Sequence, residues 1–236
     1  MSSLRKHLSW AWRIAAALFF ASTAPAAMAA VTTVTPGSIV GTKHDFVANS
    51  TYTGTNNSKN QICIYCHAPH NNYNAAGTLL WNRAYAGAAA YTLYTSGTMN
   101  ATAPQPNTVS KVCLSCHDGT TAIDAFGGAA GNAATIFAAG AKANLATDLS
   151  NDHPISILYT AGTADPDLHL TSNTATIGAT AGRPISDLLY GSGATATVEC
   201  SSCHDVHNST RNTAETDKLL KITSSGSAIC LACHKK

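Results

Sequence analysis

Every cysteine of this 236-residue chain belongs to one of four copies of the motif Cys-x-x-Cys-His. The copies occupy residues 63–67, 113–117, 200–204 and 230–234. All eight cysteines are used in this way, so none is left over for another purpose. Whatever fold the chain adopts must therefore present two thiols and one imidazole together at four places.

The spacing of this motif is typical of covalent haem attachment. Two thiols add to the two vinyl groups of one porphyrin, and the adjacent histidine binds the iron. A redox disulfide or half of a zinc site also uses Cys-x-x-Cys, but neither needs a histidine after every pair. The sequence therefore predicts four covalently bound, thioether-linked haem c groups. The predicted attachment residues are Cys63, Cys66, Cys113, Cys116, Cys200, Cys203, Cys230 and Cys233, and the predicted proximal ligands are His67, His117, His204 and His234.

The remaining histidines are numerous enough to give every iron a second axial ligand. Ten histidines are present. The five that lie outside the motifs and beyond residue 30 are His44, His70, His153, His169 and His207. Met99 is the single methionine after residue 30, so a Met/His pair is available to one haem at most. This supply favours bis-histidine ligation throughout, with low reduction potentials.

Local context selects four of these five histidines. His70 and His207 each follow a proximal histidine by three residues, too close to reach the far side of their own haem, so each is expected to ligate a neighbouring one. His153 precedes a proline, which predicts a rigid turn. His44 stands beside an aspartate that can anchor its ring or backbone, whereas His169 has no comparable presentation. The predicted distal ligands are His44, His70, His153 and His207.

Filled coordination at every iron separates the possible classes of function. Multihaem reductases and peroxidases need an open position on one iron, whereas electron transfer needs none. The ligand supply therefore predicts an electron-transfer protein that is not an enzyme. A multihaem reductase with one open haem is the alternative.

The N-terminal residues 1–29 are predicted to be a secretory signal peptide. Three basic residues precede or begin an apolar stretch over 14–20, and Ala27-Met28-Ala29 fits an A-x-A cleavage pattern. An uncleaved N-terminal anchor is the alternative. No other segment approaches the length of a membrane span. Cleavage would remove three of the 14 basic residues and none of the 12 acidic ones, leaving a net charge of −1, which does not favour nucleic-acid binding.

Composition predicts a fold with little regular structure. Only 11% of residues are charged, and Ala, Thr, Gly, Asn and Ser dominate. We expect a mostly irregular, loop-rich multihaem cytochrome c fold, organised around a chain of four haems whose apolar faces the polypeptide covers. Short helices are expected at each motif and a weak, glycine-broken helical stretch over Ala125–Ala146. Short strands are expected at Val31–Val40 and Ala194–Glu199.

An internal sequence repeat divides the chain into two halves. Residues 63–71 and 200–208 share the pattern CxxCHxxHN, whereas the motifs at 113–117 and 230–234 share CLxCH without the second histidine. The A-B-A-B order predicts a tetrahaem domain over 30–236, with possible dihaem modules at 31–150 and 151–236. A second repeat relates 152–156 to 182–186, where Arg183 replaces the histidine and either pairs with a haem propionate or is solvated.

These segments also carry a family resemblance. The sequences CHAPHN (66–71), LLWNR (79–83), CLSCHDG (113–119), NDHPIS (151–156), CHDVHN (203–208) and the final CLACH resemble the OmcE-like tetrahaem c-type cytochromes. Metal-reducing bacteria secrete these proteins, which polymerise into extracellular filaments. The resemblance implies a continuous haem chain with little secondary structure. It also implies a head-to-tail homopolymer in which one distal ligand, His70 or else His44, crosses to the next subunit.

The function predicted from all these features is electron transport through a secreted, extracellular or cell-surface filament. Its expected partners are further copies of itself, other redox cytochromes and external acceptors such as metal oxides or electrodes. A monomeric periplasmic or secreted electron shuttle is the alternative.

Overall fold

A computed structural model describes residues 37–48, 60–68, 80–83, 88, 90–160, 165–208 and 218–235. Short elements joined by long loops characterise this part of the chain. Its α-helices are α1 (Thr108–His117), α2 (Cys200–Cys203) and α3 (Ala228–Leu231). Its 3₁₀ helices are Cys63–Tyr65, Ala133–Thr135, Ile185–Leu188, Gly193–Thr195 and Ser225–Ser227. The prediction of a loop-rich fold with few short helices and strands is confirmed.

The strands of the described residues form three two-stranded sheets. They are β1 (Thr92–Leu93), β2 (Asp148–Leu149), β3 (Ile157–Leu158), β4 (Thr174–Ile177), β5 (Thr180–Pro184) and β6 (Thr197–Val198). β1 pairs in parallel with β2, whereas β3 pairs with β6 and β4 with β5 in antiparallel fashion. A register shift interrupts the β4–β5 ladder between Ala175 and Ile177. None of these sheets has enough strands to form an independent core.

A helical turn begins at or before the first cysteine of every motif, as predicted. The backbone N–H of the motif histidine donates to the carbonyl of the first cysteine at 2.8 Å for His67, 3.0 Å for His204 and 2.9 Å for His234. The second motif lies instead at the end of α1. That helix has ten residues, and Asn107 caps its N-terminus by accepting a hydrogen bond from the N–H of Val109.

Two expectations about local structure are wrong. Ala125–Ala146 contains no α-helix, only the 3₁₀ turn Ala133–Thr135. Glycines break this segment, and Gly131 adopts a φ of +73°, where an added Cβ would lie 2.7 Å from an oxygen of Asp124. Residues 37–40 form turns and bends, not the strand expected there, while 31–36 lie outside the described residues. The strand expected over 194–199 is present only as β6, after a 3₁₀ turn.

Two small apolar clusters lie beside the motifs. The first packs Tyr91, Leu114 and Leu149 together, and Leu114 belongs to the second motif. The second packs Ile177, Leu188 and Ile222 against α3, which leads into the fourth motif. Complete burial of one such side chain stabilises the fold by about 1.5–3 kcal/mol. Each cluster therefore holds a motif helix without forming a large core. No helix within the described ranges is long and apolar enough to cross a membrane.

Candidate haem attachment sites

The first and third motifs are held by the same pair of backbone hydrogen bonds. After the first motif, the N–H of Ala68 donates to Leu80 O at 2.8 Å, and the N–H of Asn82 donates to Cys66 O at 2.9 Å. The third motif repeats both bonds. The N–H of Asp205 donates to Leu219 O at 2.7 Å, and the N–H of Lys221 donates to Cys203 O at 2.8 Å. We call residues 80–82 and 219–221 clamp segments. They fix the main chain on both sides of each proximal histidine.

The fourth motif is clamped in the same way and the second differently. Residues 167–169 form the clamp segment of the fourth motif: Lys235 N–H donates to Asp167 O, and His169 N–H donates to Cys233 O, each at 2.8 Å. At the second motif, Leu145 N–H donates to His117 O at 2.7 Å. All four proximal histidines are therefore tied to a segment distant in sequence.

Several histidine rings are oriented for ligation through Nε2. Nδ1 lies within hydrogen-bonding distance of a backbone carbonyl in His117 (2.7 Å to Ala143), His204 (2.8 Å to Lys218) and His153 (2.9 Å to its neighbouring proline). A carbonyl only accepts, so Nδ1 must carry the proton and Nε2 keeps its lone pair. This is the tautomer and hydrogen-bonding contact typical of metal-bound histidine.

Three proximal histidines face three of the predicted distal histidines. The ring centroids are 6.0 Å apart for His44 and His117, 6.1 Å for His67 and His207, and 6.3 Å for His153 and His234. The sequence separations within these pairs range from 73 to 140 residues, so each pair is a tertiary contact.

These separations match the geometry of two imidazoles on one metal ion. With a metal–nitrogen bond of about 2.0 Å and about 1.1 Å from nitrogen to ring centre, two rings on opposite sides lie about 6.2 Å apart. A direct face-to-face stack would bring the rings much closer. The side chains present thus fit bis-histidine ligation of a haem iron at three motifs. Nδ1 of His44 is buried without a hydrogen-bond partner among the described residues.

The remaining proximal histidine, His204 of the third motif, has no such ring partner among the described residues. The one predicted distal ligand left for it, His70, lies outside them. His169 is close to the fourth motif only through its backbone. Its Nδ1 lies 3.3 Å from the amide nitrogen of Asn173, which can only donate, so this ring has the opposite tautomer to the three described above.

Burial keeps two of the paired rings neutral. Burial, with nearby His117 and other imidazoles, lowers the pKa of His44 to about 4. Burial also lowers the pKa of His117, although its hydrogen bond to Ala143 opposes this shift. A neutral ring is the form that binds a metal. These two rings therefore need no deprotonation to act as ligands at neutral pH.

Neighbouring motifs bring their thiols together in chain order. Burial raises the pKa of Cys66 to about 12, and nearby Cys116 contributes to the rise. A hydrogen bond to the Cys200 thiol, together with burial, raises the pKa of Cys113, whereas accepting this bond lowers the pKa of Cys200. Burial and the neighbouring Cys203 raise the pKa of Cys233 to about 11. Thiols of the first and second motifs, of the second and third, and of the third and fourth thus shift one another's pKa.

Two buried charged residues lie at these junctions. Arg83 is 1% exposed and donates to the carbonyls of Ile123 (2.5 Å), Ala122 (2.7 Å) and Ser115 (3.3 Å), the last inside the second motif. It follows the clamp segment of the first motif directly. Burial raises the pKa of Cys116, and nearby Arg83 opposes this rise. Arg83 thus joins the first and second motifs.

Glu199 joins the second and third motifs in the same manner. Its carboxylate is 1% exposed and accepts four side-chain hydrogen bonds, which come from Asn107 (2.7 Å), Thr197 (2.7 Å), Ser156 (3.0 Å) and Ser110. Ser110 also accepts from the backbone N–H of Cys200 at 3.1 Å. Four donors fill the lone pairs of an ionised carboxylate.

Sequence reasoning missed both Arg83 and Glu199, because nothing in the local pattern reveals that they are buried. For Arg183 the sequence left two roles open, a propionate partner or a solvated side chain. Its guanidinium pairs with Asp187 on the surface, with its Nε donating at 2.7 Å, which agrees with the second role.

A cavity of 540 Å³ lies at the fourth motif, lined by Gly226, Ser227, Cys230, Leu231 and His234. This volume falls in the usual range for small-molecule and cofactor sites. In the described part of the chain, no three His, Cys, Asp or Glu side chains gather into a group that could hold a metal ion. The recurring arrangement there is a pair of imidazoles beside a pair of thiols.

Comparison with known protein families gives one match. Residues 193–236 match the family described as doubled CXXCH motif, which covers the third and fourth motifs and less than a fifth of the chain. This match indicates a multihaem c-type cytochrome with covalently bound haem c, involved in electron transfer and therefore served by redox partners. No curated protein matches the chain.

Proposed function

We propose that the chain is a tetrahaem electron-transfer cytochrome in which every iron has two histidine ligands. The observation that carries the proposal is the set of three proximal–distal imidazole pairs at 6.0–6.3 Å. Four motifs with eight cysteines supply four attachment sites. Haem bound at these sites supplies one-electron chemistry between ferric and ferrous iron.

The proposed ligand pairs are His44 with His117, His207 with His67, and His153 with His234. For His204 we propose His70, which leaves His169 as a structural residue. Each carbonyl-bound ring is held in one tautomer and one orientation, so its ligating nitrogen stays aimed in the same direction in both oxidation states. Rigid ligands of this kind limit the rearrangement that accompanies electron transfer.

Filled coordination supports a non-enzymatic role. A substrate-reducing multihaem enzyme needs an iron with a free position, and the five spare histidines are enough to close all four. The adjacency of consecutive motifs supports electron passage along the chain from one attachment site to the next. The proposed function therefore depends on proximity between sites, not on a substrate pocket.

We further propose that the protein is secreted after loss of residues 1–29 and assembles head to tail into an extracellular filament. Support comes from the resemblance of the motifs at 66–71, 79–83 and 203–208 to filament-forming cytochromes. In the described residues His44 lies beside His117 of its own chain, which favours His70 as the ligand that crosses between subunits. Other cytochromes and external metal oxides or electrodes would then exchange electrons with the polymer.

Intact mass and spectroscopy of the secreted protein test the central proposal. We expect four attached haems per chain and a low-spin ferric spectrum with no high-spin component. Fewer than four haems, or a high-spin signal in the native assembly, would contradict it. Substitution of both Cys200 and Cys203 by alanine should remove one haem and leave the others attached.

Electron microscopy of the same material tests the assembly. Thin filaments that carry haem absorbance are expected from the wild-type protein, and a His70→Ala variant should keep its attached haems but fail to polymerise. A His169→Ala variant serves as the matched control and should form normal filaments. A haem-loaded wild-type protein that stays monomeric would favour the electron shuttle, and normal His70→Ala filaments would refute the cross-subunit ligand.

A further inference from the structure

A buried cation occupies the junction of the first two attachment motifs. The side chain of Arg83 is 1% exposed, and its three hydrogen bonds go to neutral backbone carbonyls. Its Nε is buried without a hydrogen-bond partner among the described residues. Removal of a guanidinium from water has a high energetic cost, which carbonyl partners offset only in part.

The position itself does not require a charge. The hydrogen bonds of the two clamp segments align Leu80 with Leu219 and Asn82 with Lys221. Arg83 is therefore equivalent to Ile222, which is 5% exposed and packs in the second apolar cluster. An apolar residue thus meets the structural need at this point of the repeat. The guanidinium of Arg83 has to be explained by something other than the clamp.

The surroundings of Arg83 indicate what its charge acts upon. One of its acceptors is the carbonyl of Ser115, between the two cysteines of the second motif. Its neighbour Asn82 donates from its side-chain amide to Ile64 O, between the two cysteines of the first motif, at 2.6 Å. The cation thus contacts the backbone of the second motif, and the residue before it contacts the backbone of the first. Its charge also acts on the thiols of Cys66 and Cys116, where it opposes the rise in their pKa values.

We propose that Arg83 sets the redox balance of the chain by raising the reduction potentials of the haems attached at the first and second motifs. This inference rests on the proposed function. Addition of an electron to ferric haem lowers its charge by one, and a nearby buried cation stabilises that product. Little solvent screens a charge at this depth. The third motif has Ile222 at the equivalent place and the fourth has Leu170, so neither receives a contribution from an arginine at this position.

The test is a spectropotentiometric titration of the haem-loaded protein, with Arg83→Met as the main variant. About half of the titration should move to lower potential, by at least a tenfold change in the reduction equilibrium, which is about 59 mV for one electron. Arg83→Lys should keep the wild-type curve, because it retains the charge while losing the planar fork. The buried carboxylates Asp118 and Asp124 stay in place in both variants, so the difference isolates the cation.

Arg183→Met is the matched control, because that arginine is surface-exposed and paired with Asp187; it should leave the curve unchanged. If Arg83→Met attaches fewer haems than the wild type, Arg83→Gln replaces it, since an amide can still donate to the same carbonyls. An unshifted curve in a neutral variant with its full haem complement would overturn the inference, as would an equal shift in Arg83→Lys. A wild-type protein that carries fewer than four haems, or that shows a high-spin spectrum, would instead contradict the proposed function.

Discussion

The first and third attachment regions share a backbone and differ in chemistry. Both start with a helical turn at Cys-x-x-Cys and close with the same two clamp hydrogen bonds, and in both the leading clamp leucine has a positive φ, 50° at Leu80 and 56° at Leu219. The residue directly after the clamp differs, because Arg83 contacts carbonyls in one region and Ile222 joins an apolar cluster in the other. A repeated attachment device can thus be given either polar or apolar support.

The two regions also differ in how they meet the second motif. Glu199, just before the third motif, accepts hydrogen bonds from four hydroxyl and amide groups. Arg83, after the first motif, donates hydrogen bonds to backbone carbonyls. The second motif therefore stands between a buried anion and a buried cation. The comparison teaches that the electrostatic difference between attachment sites comes from single side chains, while the main chain repeats.

The largest effect expected within this comparison comes from His207. This residue belongs to the third region, but its ring faces His67 of the first at 6.1 Å. His207→Ala should leave all haems attached and convert one low-spin haem to high spin, seen by electron paramagnetic resonance. His169→Ala should leave the spectrum unchanged. An unaltered spectrum for His207→Ala would mean that the two regions are independent.

A smaller effect separates the two clamp leucines. Leu219 is 4% exposed and Leu80 is 51% exposed, although their backbones are equivalent. Leu219→Ala should lower the free energy of unfolding by about 2–4 kcal/mol through lost burial, and Leu80→Ala by less than about 0.5 kcal/mol. Denaturant unfolding of the haem-loaded variants measures both. Equal losses would show that the two clamps have the same packing in solution.

The smallest effect expected concerns the residue that completes each clamp. Asn82 adds a side-chain hydrogen bond to Ile64 O at 2.6 Å, so Asn82→Ala should cost about 1 kcal/mol of stability. The third region has a lysine at this place, and burial lowers the pKa of Lys221. Lys221→Met should cost less than Asn82→Ala, because it removes a desolvated charge. The reverse order in thermal unfolding would contradict this distinction.

The sequence predicts the local features of this molecule and not its long-range ones. Helical turns at the motifs follow from the Cys-x-x-Cys-His spacing, and the histidines chosen as distal ligands include the three that face proximal rings. The clamp segments were not predicted, because each pairs residues that are distant in sequence through backbone atoms that carry no sequence signal. Arg83 was missed for another reason, since an arginine after an apolar run usually marks a solvated surface.

The pairing of His67 with His207 has a consequence for biogenesis. The first motif is synthesised about 140 residues before its partner ring. A chain that ends anywhere between these points has the cysteines and proximal histidine of the first motif but lacks the ring that faces His67. Under the proposed ligation, only a chain that extends through residue 207 can supply the second imidazole to the first motif.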